Sequence, residues 1–169
     1  MISNIFLISR TSGVCIIHKS YSAKKQDESI ISGYLTALND FSQEIGGKTK
    51  ELKMENSRLK YKFVDDEALF VFVVEETEDK SIKEEIDKAI EEIIIKYKEK
   101  FPEGIKFAGN TEIYNHSIGV EILDKTVYPL AFRIGALNRI IEGRLNSIQF
   151  RDYSQIKSDV PFDLDNLEL

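Results

Sequence analysis

Few side chains in this sequence have the type and spacing that chemistry requires. It holds two histidines, His18 and His116, and one cysteine, Cys15. A zinc site draws on Cys and His clustered at short intervals, and neither histidine lies in such a spacing. A reactive thiol needs an electropositive, accessible setting. Cys15 sits instead inside the apolar run Val14-Cys15-Ile16-Ile17 and reads as a small buried hydrophobe. Neighbouring acids recur at Asp65-Asp66-Glu67, Glu75-Glu76, Glu84-Glu85 and Glu91-Glu92. Acid–base catalysis needs two carboxylates held in different environments, whereas these fall in turns or on an outer helix face, where water solvates both. No glycine-rich loop leads from a strand into a helix, so neither the P-loop nor the dinucleotide fingerprint is present. Arg10, Arg133, Arg139 and Arg144 could meet a phosphate, but the sequence gives them no partner and they read as solvated charges. The expectation is a protein that is not an enzyme, with no catalytic residue, no metal and no cofactor.

The elements that would position these residues are easier to read. Ile2–Arg10 and Val14–Tyr21 are nearly continuous apolar strands on either side of Thr11-Ser12-Gly13, a hairpin signal because glycine can take positive φ. The first strand, apolar on both faces, is expected at the sheet centre; the second ends in His18-Lys19-Ser20-Tyr21 and is expected at an edge. From Asp27 to Ile45 a helical pattern places Ile30, Ile31, Tyr34, Leu35, Leu38, Phe41 and Ile45 on one core-facing stripe. Gly46-Gly47 stops it. Lys50–Glu55 and Arg58–Val64 alternate as half-buried strands. Ala68–Val74 is the strongest buried-strand signal, rich in β-branched and aromatic residues. Ser81–Phe101 is a second helix, with Ser81 and Glu84 spaced as a capping box and Ile82, Ile86, Ile90, Ile93, Ile94, Tyr97 and Phe101 as its core stripe. Beyond Pro102, two helices are expected, Thr111–Lys125 and a second opened by Pro129 with Leu130, Ile134, Leu137, Ile141, Leu145 and Ile148 on one side.

The chain has 169 residues, 42% hydrophobic and 31% charged, the balance of a folded globular protein. Its net charge of −6 and lack of a basic cluster exclude nucleic acid as the main partner. No apolar run approaches the roughly 20 residues of a spanning helix, and the N-terminus lacks a signal peptide's basic region. A single cysteine suits a reducing cytosol.

The order of hairpin, helix, three-stranded meander and helix resembles the longin domain family with its roadblock-like and profilin-like relatives. The likeness is carried by Ile5–Ile8, Val14–Ile17, the helix stretch Ile30-Ile31-Ser32-Gly33-Tyr34-Leu35-Thr36-Ala37-Leu38-Asn39-Asp40-Phe41, the strands Leu59–Phe63 and Leu69–Val74, and the second helix. That helix stretch resembles uncharacterised archaeal proteins of this type. The resemblance implies an α+β fold, a five-stranded antiparallel sheet flanked by helices, with the first hairpin and last meander strand near the centre. Residues 1–101 would form the longin-like domain, 102–152 a helical extension on or beside it, and 153–169 an acidic tail.

The resemblance also implies a non-catalytic cytoplasmic module that binds a small GTPase or another longin or roadblock subunit, in trafficking-like or GTPase-regulatory complexes. A homodimer is one form of this, and membrane association would be peripheral, through partners. Recognition would use a strand edge near Ile16 and His18 and a helix face carrying Ser32, Thr36, Asn39 and Asp40. Charge or proline changes near Ile16 or His18 would then abolish complexes and leave the monomer folded. In the tail, Phe162, Leu164 and Leu167 stand between acids in the manner of a docking peptide's anchors. The alternative is a small-molecule sensor with a profilin-like or PAS-like sheet.

Overall fold

The sheet is set by its most apolar strands. In the computed structural model, which describes residues 1–22, 27–47, 49–102, 104 and 118–146 (backbone alone at 28, 29, 118 and 140–146), β1 (Ile2–Ser9) and β5 (Ala68–Glu75) pair antiparallel along their whole length, Ile5 opposite Phe72 and Leu7 opposite Phe70. β2 (Cys15–Ser20), β3 (Glu51–Lys53) and β4 (Ser57–Phe63) complete a five-stranded antiparallel sheet in the order β2-β1-β5-β4-β3. The fold is thus α+β, with the first hairpin and the last meander strand meeting at the centre as expected. Gly13, at φ +70, makes the hairpin turn, donating its N–H to the Ser9 carbonyl at 2.8 Å; a side chain there would be strained in this conformation.

Alternation along the strands sorts the core into two faces. One carries Phe6, Ile8, Leu59, Tyr61, Leu69 and Val71, packed with Leu35 of α1 (Glu28–Ile45). The other carries Phe70, whose ring meets Tyr97 edge-on at 4.7 Å between centroids, in α2 (Lys80–Lys100). On that face Lys60 bonds Asp87 at 2.6 Å and Lys62 bonds Glu91, tying β4 to α2. Asp79, not Ser81, caps α2, its carboxylate accepting from the Ile82 N–H at 2.9 Å. An acid at this position satisfies an orphan amide and also meets the positive end of the helix dipole.

The C-terminal pattern differs from expectation. Among the described residues one helix, α3 (Ile118–Asn146), runs through Pro129 in place of an end near Lys125 and a new start at Pro129. Proline removes the amide that would bond the carbonyl four residues back. Pro129 faces solvent, however, while Leu123, Val127, Leu130 and Ile134 are buried on the opposite side. Burial on one face therefore outweighs one lost bond on the wet one. Residues 111–117 and 147–148 of the expected helices lie outside the described residues.

The chain divides into two compact units, Met1–Ile134 and Gly135–Leu169. The first holds the sheet, α1, α2 and α3 up to Ile134; in the second the described residues are helical to Asn146. Within the first unit α3 lies beside α2, with Arg133 at 3.2 Å from Glu85 and Lys96 at 3.4 Å from the Thr126 hydroxyl. It also reaches β2: Asp124 accepts from Lys19 Nζ and from the Tyr21 hydroxyl, each at 2.9 Å. No helix of the described residues is long and apolar enough to cross a membrane.

Candidate interaction face

Strands about 4.8 Å apart make a five-stranded face about 19 Å wide between its outer strands, and packed helices lie about 8–10 Å apart. Such a face has room for two helices. The face with Phe70 and Phe72 has two, α2 and α3. Among the described residues the opposite face carries one helix, α1, packed mainly over β1 and β2. Toward the β3 edge of this face Leu52 and Met54 are exposed among the described residues.

α1 itself carries an unusual distribution. The seven-residue stripe read from the sequence as core divides in two. Leu35 is buried and Ile31 and Leu38 are half-buried, whereas Ile30, Tyr34, Phe41 and Ile45 are 71%, 57%, 62% and 70% exposed. The face pressed on the sheet instead includes Ser32 and Asn39, each 2% exposed. Both steps, three from Ser32 to Leu35 and four from Leu35 to Asn39, keep these residues on one side of the helix. The apolar arc of α1 is wider than one contact can bury, and its outer part is left in water.

This relocates the residues singled out from sequence. Ser32 and Asn39 are not on a solvent face; Asp40 is exposed, and Thr36, half-buried, donates its hydroxyl to the Ser32 carbonyl at 2.9 Å. Asn39 Oδ1 and the Tyr61 hydroxyl are buried with no hydrogen-bond partner among the described residues. Ile16 is 1% exposed, so it is a core residue of an edge strand and not an accessible anchor. His18 is half-buried, stacked on Phe6 at 4.3 Å with Nε2 at 3.1 Å from Asn4 Oδ1. The remaining candidates, Phe162, Leu164 and Leu167, lie outside the described residues, as does His116. Sequence reading named Ile30, Tyr34, Phe41 and Ile45 but assigned them to the core. The signal that could have separated them is the pair of polar residues flanking Leu35, which marks a second buried direction on the same helix.

Three tyrosine hydroxyls are held neutral, Tyr61 on this face, Tyr97 on α2 and Tyr21 beside α3. Burial, with Tyr34 as the next cause, pushes the Tyr61 hydroxyl up to about 12; burial alone raises Tyr97 further, and burial followed by the bond to Asp124 raises Tyr21. Their folded values exceed the unfolded value near 10, so their contribution to stability is complete below pH ~10 and is lost as pH rises through the folded values. The urea midpoint is expected to hold to about pH 9.5 and fall from there to about pH 11.5. Tyr97→Phe should flatten that fall; an unchanged slope would mean other groups govern it.

No protein-family model matches the chain, and no curated protein does. Among solved structures the chain is similar to Myxococcus xanthus MglB, with 14% identity and a TM-score of 0.42 over 58% of this chain and 85% of that one. It is also similar to the gliding protein MglB from Thermus thermophilus, with 18% identity and a TM-score of 0.39 over 44% of this chain and 61% of that one. A structure of MglB in a tetrameric arrangement matches with the same identity and TM-score, over 60% of its length. The chain thus spans about three fifths of these last two proteins. The organisms named are bacteria, and they add no support to the archaeal likeness of α1.

Proposed function

We propose that this chain is a non-catalytic interaction module of the longin type, which binds a small GTPase or another longin or roadblock subunit through the α1 face of its sheet. The observation that carries this reading is the exposed stripe Ile30, Tyr34, Phe41 and Ile45. Four large apolar side chains exposed on one helix face form the kind of patch that a partner covers. The cost of leaving them in water is accepted in the free chain and recovered on binding. The same reading places the protein in the cytosol, in trafficking-like or GTPase-regulatory complexes.

Affinity capture from native lysate, with GTP or GDP analogues present, tests this. The expected result is enrichment of a GTPase in one nucleotide state, or of a longin or roadblock subunit, and its loss with Phe41→Glu. Phe41 is largely exposed, so the variant should stay folded. Equal recovery of every captured protein by wild type and Phe41→Glu would sink the reading.

A further inference from the structure

We propose that the outer surface formed by α2 and α3 docks a second copy of this chain. In this arrangement α3 of each copy sits on α2 of the other, about a two-fold axis along the seam between the helices. The proposal goes beyond the reading of α1 and uses the other side of the sheet. It starts from α3, which is apolar on two opposite sides. Leu123, Val127, Leu130 and Ile134 are buried, while Tyr128 and Phe132 are 60% and 77% exposed. At 100° per residue the two aromatics stand opposite the buried stripe. A helix that is apolar all round belongs to a covered position, so this outer side is built to be met. On the neighbouring α2, Ile95 is 55% exposed, in line with the exposed Glu84, Lys88, Glu91 and Glu99.

The occupant follows from heights along the two helices. Lys96 reaches Thr126 and Glu85 reaches Arg133, so α2 and α3 run antiparallel and their levels are set. A two-fold axis along the seam exchanges the helices and leaves every residue at its own height. Groups at equal height on the two helices therefore meet, and here they are complementary. Tyr128 comes to the level of Ile95, within about one turn of helix. Phe132 comes to the level of Lys88, whose side chain is 70% exposed and whose ammonium suits the face of an aromatic ring. Lys125 falls between Glu91 and Glu99, and Glu121 reaches the level of Glu99 with Lys98 and Lys100 on either side. Every pair forms twice, which is the self-complementarity of an isologous interface. A foreign partner requires no such match between two helices of one chain.

Disulfide trapping tests the arrangement, in the full chain carrying Cys15→Ala. Ile95→Cys and Tyr128→Cys, made in separate chains, should join across the interface when mixed and mildly oxidised. The mixture is expected to form covalent dimer about tenfold or more faster than either chain alone. Like positions lie about a helix spacing of 8–10 Å apart, outside disulfide reach. Glu84→Cys mixed with Tyr128→Cys is the control, since Glu84 lies about 16 Å along α2 from Ile95. Phe132→Glu should weaken the assembly about 30-fold or more in sedimentation. Its circular dichroism should match wild type, because Phe132 is exposed. A wild-type chain that is monomeric at about 100 µM, a mixture that oxidises no faster than the control, or a Phe132→Glu protein that sediments as wild type would each overturn the proposal. None of these residues lies on α1, so the result leaves the α1 reading to Phe41→Glu and its own test.

Discussion

Phe70→Ala is expected to cost about 3–5 kcal/mol of folding stability and to lower the melting temperature by about 10 °C or more. Phe70 is fully buried in the central strand, between β1 and β4 through its neighbours Leu7 and Lys62. Its ring is held edge-on by Tyr97 and lies beside Phe72 at 5.5 Å. Truncation removes the contacts of three packed elements at once, and the rigid strand pairing on both sides keeps the cavity from closing. A domain of this size has about 5–15 kcal/mol in total, so the variant stands near the threshold of folding. Phe70→Leu, which retains most of the volume, should lose less than half as much. Urea denaturation of the three proteins decides it: equal midpoints for Ala and Leu would mean that the site relaxes and that β5 is not the rigid centre of the sheet.

The same strand shows what kind of information a sequence carries. Ala68–Val74 could be read as buried because both of its faces are apolar, so either assignment of faces gives the same answer. The turn at Gly13 was legible because its backbone conformation suits one residue type above others. The α2 stripe was legible because a single narrow arc, from Ile82 to Tyr97, was apolar and all of it is buried. On α1 periodicity identifies an arc but not the direction from which the sheet meets it. The helix buries Ser32, Leu35 and Asn39, with Leu35 against β1, β4 and β5, while Ile30, Tyr34, Phe41 and Ile45 stay exposed. Hydrophobicity therefore misidentified the core at Ile30, Tyr34, Phe41 and Ile45, which are exposed. Pro129 is the converse case: its chemistry signals a helix start, but the buried residues on either side of it form one continuous face, and tertiary burial decides.

The two sheet faces are covered differently by the described residues. Closing one face with α2 and α3 lets Lys60 and Lys62 extend across to acids on α2, and the sheet gains a rigid back. On the front, among the described residues, the outer arc of α1 leaves apolar surface on a preformed scaffold. Because the strands and α1 are already ordered, a partner would not have to pay for folding this surface, which favours affinity for a given area.

Ile16→Asp is expected to unfold the chain, and so to separate the edge strand's role in folding from any role in docking. Ile16 is 1% exposed, and an unpaired carboxylate at such a site costs about 3–5 kcal/mol by analogy with breaking a buried ion pair. Loss of binding in that variant would therefore say nothing about recognition at the β2 edge. His18→Ala is the informative change there. It gives up the stack on Phe6 and the contact with Asn4 Oδ1, a loss of about 1–2 kcal/mol that leaves a folded chain. If β2 contributes to docking, His18→Ala should weaken capture of the same partners that Phe41→Glu releases. If α1 alone does so, capture should match wild type while thermal stability drops slightly. An Ile16→Asp protein that melted like the wild type would refute the assignment of Ile16 to the core and return it to the surface as a contact residue.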